Sequence, residues 1–367
     1  MIEVAPPVER ALLIGAPRKG SPEAAQVQEH LDELTRLADT AGARVAGRVV
    51  QLVLKPAPDF YIGKGKVEEV RGRIADLDAT VILFDEELSP AQGKNLEEEL
   101  KVRIMDRTEL ILDIFALRAR SHEARMQVEL AQLEYLLPRL ARMWTHLSRI
   151  RGGIGLRGPG ETQLETDRRM IRQKIGMLKR KLAEVAAHRD RLRQRTQGRG
   201  VRRVALVGYT NAGKSSLLRA LTHADAHVED RLFATLDTQS RETAVNGVRL
   251  RFTDTVGFIR KLPHGLVASF RATLEEALDA DVLLHVVDAA HPEWETQAQV
   301  VGEVLQEAGL DPNHRMLVAL NKADRLDAAD REGRLAEAAA RGWEAVLVSA
   351  VTGEGVEGLR AALGKIG

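Results

Sequence analysis

The segment from Val204 to Leu217 constrains the fold of this chain more than any other stretch. An apolar, β-branched run leads into the pattern G-x-x-x-x-G-K-S, which spans Gly208 to Ser215, and a helix-compatible sequence follows. A strand, a glycine-rich loop and a helix in this order are the context of a phosphate loop. The glycines let backbone amides surround a polyphosphate, and the helix directs its positive end at the same phosphates.

Residues 1–107 are predicted to form a small parallel α/β domain. Short apolar runs alternate with helical stretches, which is typical of a parallel sheet covered by helices. The predicted strands are 11–14, 49–54, 80–84 and 101–105, and the predicted helices are 22–41, 66–77 and 90–100. Ser89 and Pro90 supply an N-cap and a first-turn proline, and Gly42 can end the first helix.

Residues 108–197 are predicted to form an antiparallel helical hairpin. Apolar residues between Met126 and Leu147, and again between Ile171 and Leu192, recur at alternating steps of four and three. Such a stripe is typical of coiled-coil packing, and two stripes joined by one short break indicate a hairpin. Pro138 is expected to kink the first helix.

Residues 198–367 are predicted to form the third region, a doubly wound sheet that contains the phosphate loop. Strands are expected at 204–207, 249–253, 282–287, 316–320 and 345–348, with a hairpin around Asn246-Gly247. Helices alternate with these strands, and ligands of such folds bind at the carboxyl ends of the strands.

The basic charge of the chain is concentrated in one segment. The chain has a net charge of +1, but residues 139–203 contain 19 Lys and Arg against 5 Asp and Glu, so this segment is strongly positive and the remainder is negative. Between the predicted helices lies a glycine-rich tip loop, 149–161, with Arg149, Arg151 and Arg157. Arginine on a rigid arm can contact RNA phosphates and stacked bases, and the alternative is a solvated charge run.

The phosphate loop and two further motifs supply groups that act on phosphates. Lys214 is placed to reach the β- and γ-phosphates, and the Ser215 hydroxyl to bind Mg²⁺. Asp254, in D-T-V-G, is expected to hold Mg²⁺ through water, and the Gly257 amide to meet the γ-phosphate. Thr235, in the segment that begins at Phe233, is expected to complete the Mg²⁺ shell, with Thr238 as the alternative. The predicted catalytic set is Lys214, Thr235, Asp254 and Gly257.

The base is predicted to be guanine. In Asn321-Lys322-Ala-Asp324, the carboxylate of Asp324 can accept hydrogen bonds from N1 and the exocyclic amine of guanine, and adenine offers neither donor there. Ser349-Ala350 can give a backbone amide to the guanine carbonyl. The predicted nucleotide-binding residues are Gly208, Tyr209, Thr210, Asn211, Ala212, Gly213, Lys214, Ser215, Ser216, Phe233, Thr235, Asp254, Gly257, Asn321, Lys322, Asp324, Ser349 and Ala350.

These motifs together resemble those of Ras-like GTPases, and the segments 233–238 and 254–263 resemble the Obg–HflX branch. In the amino-terminal half, Y-I-G-K-G-K at 61–66, D-E-E-L-S-P at 85–90, D-R-T-E-L-I-L-D-I-F at 106–115 and G-G-I-G-L-R-G-P-G-E at 152–161 resemble the HflX family. This resemblance implies a GTPase that binds the large (50S) ribosomal subunit through its amino-terminal domain and helical arm and rescues or splits stalled or idle 70S ribosomes under stress.

Two further cofactors follow from the resemblance. Asn211 resembles the asparagine that binds K⁺ in some relatives, and local hydrogen bonding within the loop is the alternative role. Members of the family have been linked to ATP binding through the amino-terminal domain, for which 63–66 is the candidate site; the alternative is a tight turn with solvated lysines. Phe258 stands where many GTPases place a water-orienting glutamine, so slow intrinsic hydrolysis is expected.

Composition limits the remaining classes. The chain has no cysteine, which excludes disulfides and thiolate metal sites, and no apolar run approaches the length of a membrane span. We expect a cytoplasmic monomer without a membrane span. The alternatives to a ribosome-rescue factor are a signalling switch that recruits a protein effector, a large-subunit assembly factor and an ATP-driven RNA remodeller.

Overall fold

The computed structural model describes residues 8–140, 159–196, 201–222, 232–236, 239–245, 247–261, 276–311 and 313–365. Its contacts divide the chain into two compact units. The first comprises 1–117 and 128–180, and the second comprises 118–127 and 181–367. The division passes through the helical segment, so each unit takes part of it.

The first unit contains a four-stranded parallel sheet, as predicted. Its strands in spatial order are β2, β1, β3 and β4, and every neighbouring pair is parallel. Helices join the strands, which is how parallel strands must be connected. The strands are β1 (Arg10–Gly15), β2 (Arg44–Val50), β3 (Val81–Phe84) and β4 (Arg103–Asp106), and the helices are α1 (Pro22–Ala25), α2 (Val27–Thr40), α3 (Lys64–Leu77) and α4 (Pro90–Leu100).

One predicted strand was placed wrongly. The structure has β2 at Arg44–Val50, whereas the sequence pattern predicted a strand at 49–54. Because β2 is an edge strand with mostly half-exposed residues, it lacks the apolar run that marks a central strand. Leu52 and Leu54, which suggested the strand, are 47% and 79% exposed.

Local capping signals were predicted correctly. Ser89 accepts a hydrogen bond from the Gln92 amide at 3.2 Å, and Gln92 Oε1 accepts one from the Ser89 amide at 2.9 Å, which together form a capping box. Gly42 follows α2 with a φ of +89°, a value that suits glycine. The first predicted helix is divided at Gln26 into α1 and α2.

A buried ionic network lies where β3 and β4 end. The Arg107 guanidinium donates to Asp85 Oδ1 at 2.9 Å and also pairs with Glu33. His30 Nδ1 lies 3.5 Å from the Asp85 carboxylate. All four side chains are buried, and a buried charge is tolerated only when it is paired.

The helical segment contains α5 (Arg107–Arg118), α6 (His122–Leu136) and α7 (Pro159–Thr196), and a 3₁₀ turn at Leu137–Arg139 places Pro138 just after α6. The prediction of a helical pair is confirmed. Ion pairs join Glu134 of α6 to Lys179 of α7 and Glu123 to Arg189, so the two helices run antiparallel. Within the predicted stripe, Met126, Leu130 and Leu178 are buried.

The second unit contains a six-stranded sheet in the order β10-β9-β8-β5-β7-β6. All pairs are parallel except β6 and β7, which form the predicted antiparallel hairpin. The strands are β5 (Val201–Val207), β6 (Gln239–Val245), β7 (Val248–Asp254), β8 (Val282–Asp288), β9 (Met316–Asn321) and β10 (Ala345–Leu347), and the helices are α8 (Lys214–Thr222), α9 (Trp294–Glu307), α10 (Ala328–Ala340) and α11 (Val356–Lys365).

Both faces of this sheet are covered. Alternate residues of β8, including Leu284, join α8 and α11 in one buried cluster, and Val287 joins Trp294 in another. The carboxyl ends of the parallel strands lie at one edge of the sheet, and this edge is flanked by the two layers of helices. In the described part of the chain, no helix is both long and apolar enough to cross a membrane.

We predict that Arg107→Ala lowers the free energy of unfolding of the first unit by about 3–5 kcal/mol, because it leaves Asp85 and Glu33 charged, buried and without their cation. Hydrogen–deuterium exchange of β1 and β3 measures this loss locally. Arg103→Ala is the control, since its ion pairs with Glu109 and Asp113 are partly exposed and are worth about 0–1 kcal/mol. Equal effects of the two substitutions would contradict the prediction.

Candidate functional site

A pocket at the carboxyl ends of the strands of the second unit brings together the five nucleotide-binding motifs identified in the sequence. The elements that contribute to it are the loop before α8, the segment 233–235, the loop after β7, and the loops after β9 and β10. Among its lining residues are Asn211, Gly213, Lys214, Ser215, Ser216, Phe233, Thr235, Gly257, Asn321, Lys322, Asp324 and Ala350. The tertiary structure thus joins motifs that are more than 100 residues apart.

The phosphate loop requires glycine at two positions for steric reasons. A Cβ at Gly208 would overlap the Val286 carbonyl oxygen, because the loop passes directly over β8. A Cβ at Gly213 would overlap the Asn321 side-chain amide, and its φ of +91° also favours glycine. The loop therefore lies directly against β8 and against the end of β9.

Lys214 is buried at the centre of the pocket. Its Nζ donates to the carbonyl oxygens of Gly208 and Tyr209, each at 3.0 Å. Burial lowers the pKa of Lys214 to about 8, and the nearby Asp254 carboxylate opposes this shift. A buried ammonium group with a lowered pKa is prepared to bind an anion, which favours its charged form.

Three oxygen-bearing side chains meet beside Lys214. Ser215 Oγ donates to Asp254 Oδ2 at 2.6 Å and lies 2.7 Å from Thr235 Oγ1. Asp254 is 1% exposed, and its burial raises the pKa of its carboxyl group. Two hydroxyls and a carboxylate are the hard oxygen donors that Mg²⁺ prefers, so these residues fit a magnesium ion.

The loop after β7 pairs with the phosphate loop through its backbone. The Phe258 amide donates to the Gly208 carbonyl at 3.1 Å, and the Thr210 amide donates to the Phe258 carbonyl at 2.6 Å. The side chain of Phe258 is 3% exposed, so this ring is packed away from the pocket. At Gly257, a Cβ would lie 2.8 Å from the Thr210 Cα and 3.1 Å from Lys214 Nζ, and a side chain would separate the two loops.

Sequence reasoning missed a second set of contacts in this loop. The Arg260 amide donates to the Tyr209 hydroxyl at 2.8 Å, and the Arg260 guanidinium pairs with Glu293, immediately before α9. Both members of this ion pair are largely buried. The motif D-T-V-G ends before Arg260, and nothing in the local sequence indicates that Glu293 lies opposite it.

The base side of the pocket is held by Asn321 and Lys322. Asn321 Nδ2 donates to the Ala212 carbonyl at 2.9 Å, and Asn321 Oδ1 accepts from the Ala350 amide at 3.1 Å. Lys322 Nζ donates to the Asn211 carbonyl at 2.9 Å and to Asp288 Oδ2 at 2.7 Å. These contacts connect the phosphate loop to the base side of the pocket.

Asp324 and Ser349 lie together, as the sequence predicts for a base-recognition pair. Ser349 Oγ donates to Asp324 Oδ1 at 2.5 Å. The Ser349 amide donates to the Glu354 carbonyl at 2.9 Å, whereas the Ala350 amide donates to Asn321. A contact between the Ala350 amide and a bound base therefore stays a prediction.

Of the remaining predicted sites, the structure describes the amino-terminal anion site but not the arginines of the tip loop. Arg149, Arg151 and Arg157, most of the tip loop 149–161, and Thr238 lie outside the described residues. At the predicted amino-terminal anion site, the Gly63 amide donates to Gln51 Oε1 at 3.1 Å and Lys66 pairs with Glu69 at 2.6 Å. ATP binding there, and K⁺ binding at Asn211, stay predictions.

Three families match successive parts of this chain. Residues 28–116 match the family described as GTP-binding GTPase N-terminal, residues 118–196 match GTP-binding GTPase Middle Region, and residues 203–322 match 50S ribosome-binding GTPase. A curated GTPase HflX from Lacrimispora saccharolytica is 48% identical over 360 residues, which cover 98% of this chain and 83% of the relative. The chain belongs to the HflX family of GTPases.

Other GTPase HflX relatives are similar to this chain to a comparable degree. GTPase HflX from Magnetococcus marinus is 51% identical and the one from Escherichia coli K12 is 46% identical, with 90% and 91% of this chain covered and 76% and 78% of the relatives. A crystal structure of a GTP-binding protein from the archaeon Sulfolobus solfataricus in complex with GDP is 25% identical, with a TM-score of 0.51 and 98% of both chains covered.

The family settles the activity predicted from the motifs. HflX proteins are GTPases, so this chain is a GTP-binding GTPase, and the resemblance seen in the sequence is confirmed. The predicted fold is confirmed as well: a parallel α/β unit, a helical region and a phosphate-loop GTPase domain.

We predict that GDP binding takes up about three quarters of a proton at pH 8.5 and about one tenth at pH 7. Lys214, with a pKa of about 8, is largely neutral at pH 8.5 without ligand, and the diphosphate favours its charged form. Nucleotide affinity should therefore fall as the pH rises above about 8. Calorimetry with Mg²⁺ in buffers of different ionisation enthalpy measures the uptake, and binding without uptake at pH 8.5 would contradict it.

Proposed function

We propose that this HflX protein is a GTP-driven factor that binds the large ribosomal subunit and acts on stalled or idle ribosomes. The observation that carries the proposal is that two segments contact the phosphate loop directly. Thr235 reaches it through Ser215, and Phe258 pairs with Gly208 and Thr210. A change at the γ-phosphate therefore acts on both segments.

The ribosome is favoured as the partner by two further observations. Residues 203–322 match a family described as 50S ribosome-binding GTPase. Residues 139–203 carry the excess of basic residues, and electrostatic attraction to phosphates is the main source of nucleic-acid affinity. Arg149, Arg151 and Arg157 are the proposed RNA contacts.

In the proposed mechanism, the pocket residues bind, orient and neutralise the triphosphate. Lys214 binds the β- and γ-phosphates, and the Gly257 amide binds the γ-phosphate. Ser215 and Thr235 bind Mg²⁺, with Asp254 acting through water. When bound there, Mg²⁺ supplies charge that stabilises the transferring phosphoryl group. The carboxylate of Asp324 accepts from N1 and the exocyclic amine of guanine.

Phe258 cannot orient the water molecule that attacks the γ-phosphate. Its buried ring has no polar group, so hydrolysis depends on another group to orient the nucleophile. Backbone groups of the ordered loops, a monovalent cation held by Asn211 and the ribosome itself are the candidates. Slow intrinsic turnover follows from Phe258, and acceleration on the ribosome follows where the ribosome supplies or orders the orienting group.

The GTP state is proposed to favour the arrangement in which the protein is bound to the ribosome with its helical arm inserted. The γ-phosphate orders Thr235 and Gly257, and its loss on hydrolysis releases both segments. Release of the factor then follows from relaxation of these segments. The match to a family described as 50S ribosome-binding GTPase and the basic segment 139–203 support this scheme. Sedimentation of ribosomes with this protein in the presence of GTP or of GDP tests it.

We predict that Asp324→Asn weakens GDP binding by at least about 100-fold and improves binding of xanthosine diphosphate. The amide presents a donor where guanine also presents donors, whereas xanthine offers a matching acceptor. Competition binding with the two diphosphates measures the change. Unchanged GDP affinity would contradict the assignment of the base.

We predict that large subunits accelerate GTP hydrolysis at least about tenfold, and that Arg151→Glu with Arg157→Glu removes most of this acceleration, since reversed charges repel phosphates. The matched control is Arg315→Glu with Lys365→Glu, which makes the same charge change at two exposed positions of the second unit. Turnover with and without subunits measures the effect. Acceleration by a purified protein, and not by ribosomes, would favour a signalling switch.

A further inference from the structure

The precision of the base pocket depends on two loops whose mutual position must be fixed. They are 321–326, which contains Asp324, and 348–355, which contains Ser349, and they are called here the base-recognition loops. The Ala323 amide donates to the Val348 carbonyl at 3.1 Å. Ser349 Oγ bonds Asp324, so the position of the second loop controls the direction of the carboxylate.

The second base-recognition loop is folded back on itself around Glu354. The Glu354 carbonyl accepts from the Ser349 amide at 2.9 Å, and the Thr352 amide donates to Ser349 Oγ at 3.1 Å. At Gly355 a Cβ would overlap the Leu347 carbonyl, so this end of the loop lies tightly against β10. A displacement of Glu354 is therefore passed to Ser349.

One side chain from outside the pocket bonds both loops. Arg331, in the first turns of α10, donates through Nη2 to the Ala323 carbonyl at 2.8 Å and through Nε to the Leu326 carbonyl at 3.3 Å. Its two terminal nitrogens also donate to the two carboxylate oxygens of Glu354, at 2.7 and 3.3 Å. A single planar guanidinium thus spans the two base-recognition loops.

An ordinary surface ion pair does not account for this arrangement. Arg331 and Glu354 are 31% and 50% exposed, and an isolated exposed pair contributes little to stability. The additional bonds to Ala323 and Leu326 fix the guanidinium on the first loop, so its bidentate bond to Glu354 fixes the second loop relative to the first. Lysine cannot reproduce this, because its ammonium is one compact charge without a planar fork.

We propose that Arg331, acting with Glu354, is a positioning residue for guanine specificity. It holds Asp324 and Ser349 in the register in which the carboxylate accepts two hydrogen bonds from the base. The proposal rests on the proposed base assignment of Asp324. Arg331 does not line the pocket and acts only through these loops.

The test compares GDP with inosine diphosphate, whose base lacks the exocyclic amine. Only the guanine base uses both hydrogen bonds to the carboxylate, so a misdirected carboxylate affects GDP most. We expect Arg331→Ala in the full chain to weaken GDP about tenfold and inosine diphosphate about twofold, so the preference for GDP falls about fivefold. Glu354→Ala should also lower the preference for GDP, and Arg331→Lys should recover little of the preference that Arg331→Ala loses.

Arg341→Ala is the matched control. Arg341 directly follows the same helix and forms a partly exposed ion pair with Glu295 at 2.7 Å, away from the base-recognition loops. It should leave both affinities unchanged. If Arg331→Ala does not fold, Glu354→Ala still tests the proposal, because the Glu354 side chain is half exposed on a loop.

Two outcomes would overturn the proposal: equal weakening of GDP and inosine diphosphate by Arg331→Ala and Glu354→Ala, which indicates general loosening, or no change in either. Asp324→Asn separates this failure from failure of the base assignment. If Asp324→Asn lowers GDP affinity while the Arg331 and Glu354 variants leave the preference intact, only the positioning role is lost. If Asp324→Asn changes nothing, the base assignment itself is wrong.

Discussion

The buried amide of Asn321 is the interaction on which the rest of the nucleotide pocket depends. Its Nδ2 holds the Ala212 carbonyl of the phosphate loop, and its Oδ1 holds the Ala350 amide beside the base-recognition pair. Asn321 is 2% exposed, so losing either bond would leave a polar atom of a buried side chain unsatisfied. Together with the bonds of Lys322 to the Asn211 carbonyl and to Asp288, this side chain fixes the phosphate loop relative to the base side of the pocket.

The two units use buried charge in opposite ways. In the first unit, the Arg107 guanidinium is paired with the carboxylates of Asp85 and Glu33, so its charge is balanced within the fold. In the second unit, burial lowers the pKa of Lys214 and raises that of Asp254, so both groups carry their charge at a cost. A polyphosphate and a divalent cation relieve that cost, since each favours the charged form of its partner. The first arrangement is balanced within the fold, whereas the second is the arrangement expected of a site for charged ligands.

Much of the fold and the site could be predicted because the signals are local. The spacing of Gly208, Gly213 and Lys214 fixes a loop by steric exclusion and charge, and Ser89 fixes a helix start by its capping box. The strand at Arg44–Val50 was misplaced because most of its residues are only half buried and its apolar residues are interrupted by Gly47 and Arg48. The pairing of Arg260 with Glu293 was missed because the two residues are brought together only by the packing of α9.

The sequence by itself determined that this protein is a phosphate-loop GTPase, and it supplied the residues that we propose for binding a cation, the base and RNA. Each depends on residue types at short spacing, which the local backbone positions. Only the tertiary structure decided how those groups are held, as in the bond of Phe258 to Gly208 and the four bonds of Arg331. These contacts join residues distant in the chain, and their partners are chosen by sheet order and helix packing, which no local pattern encodes.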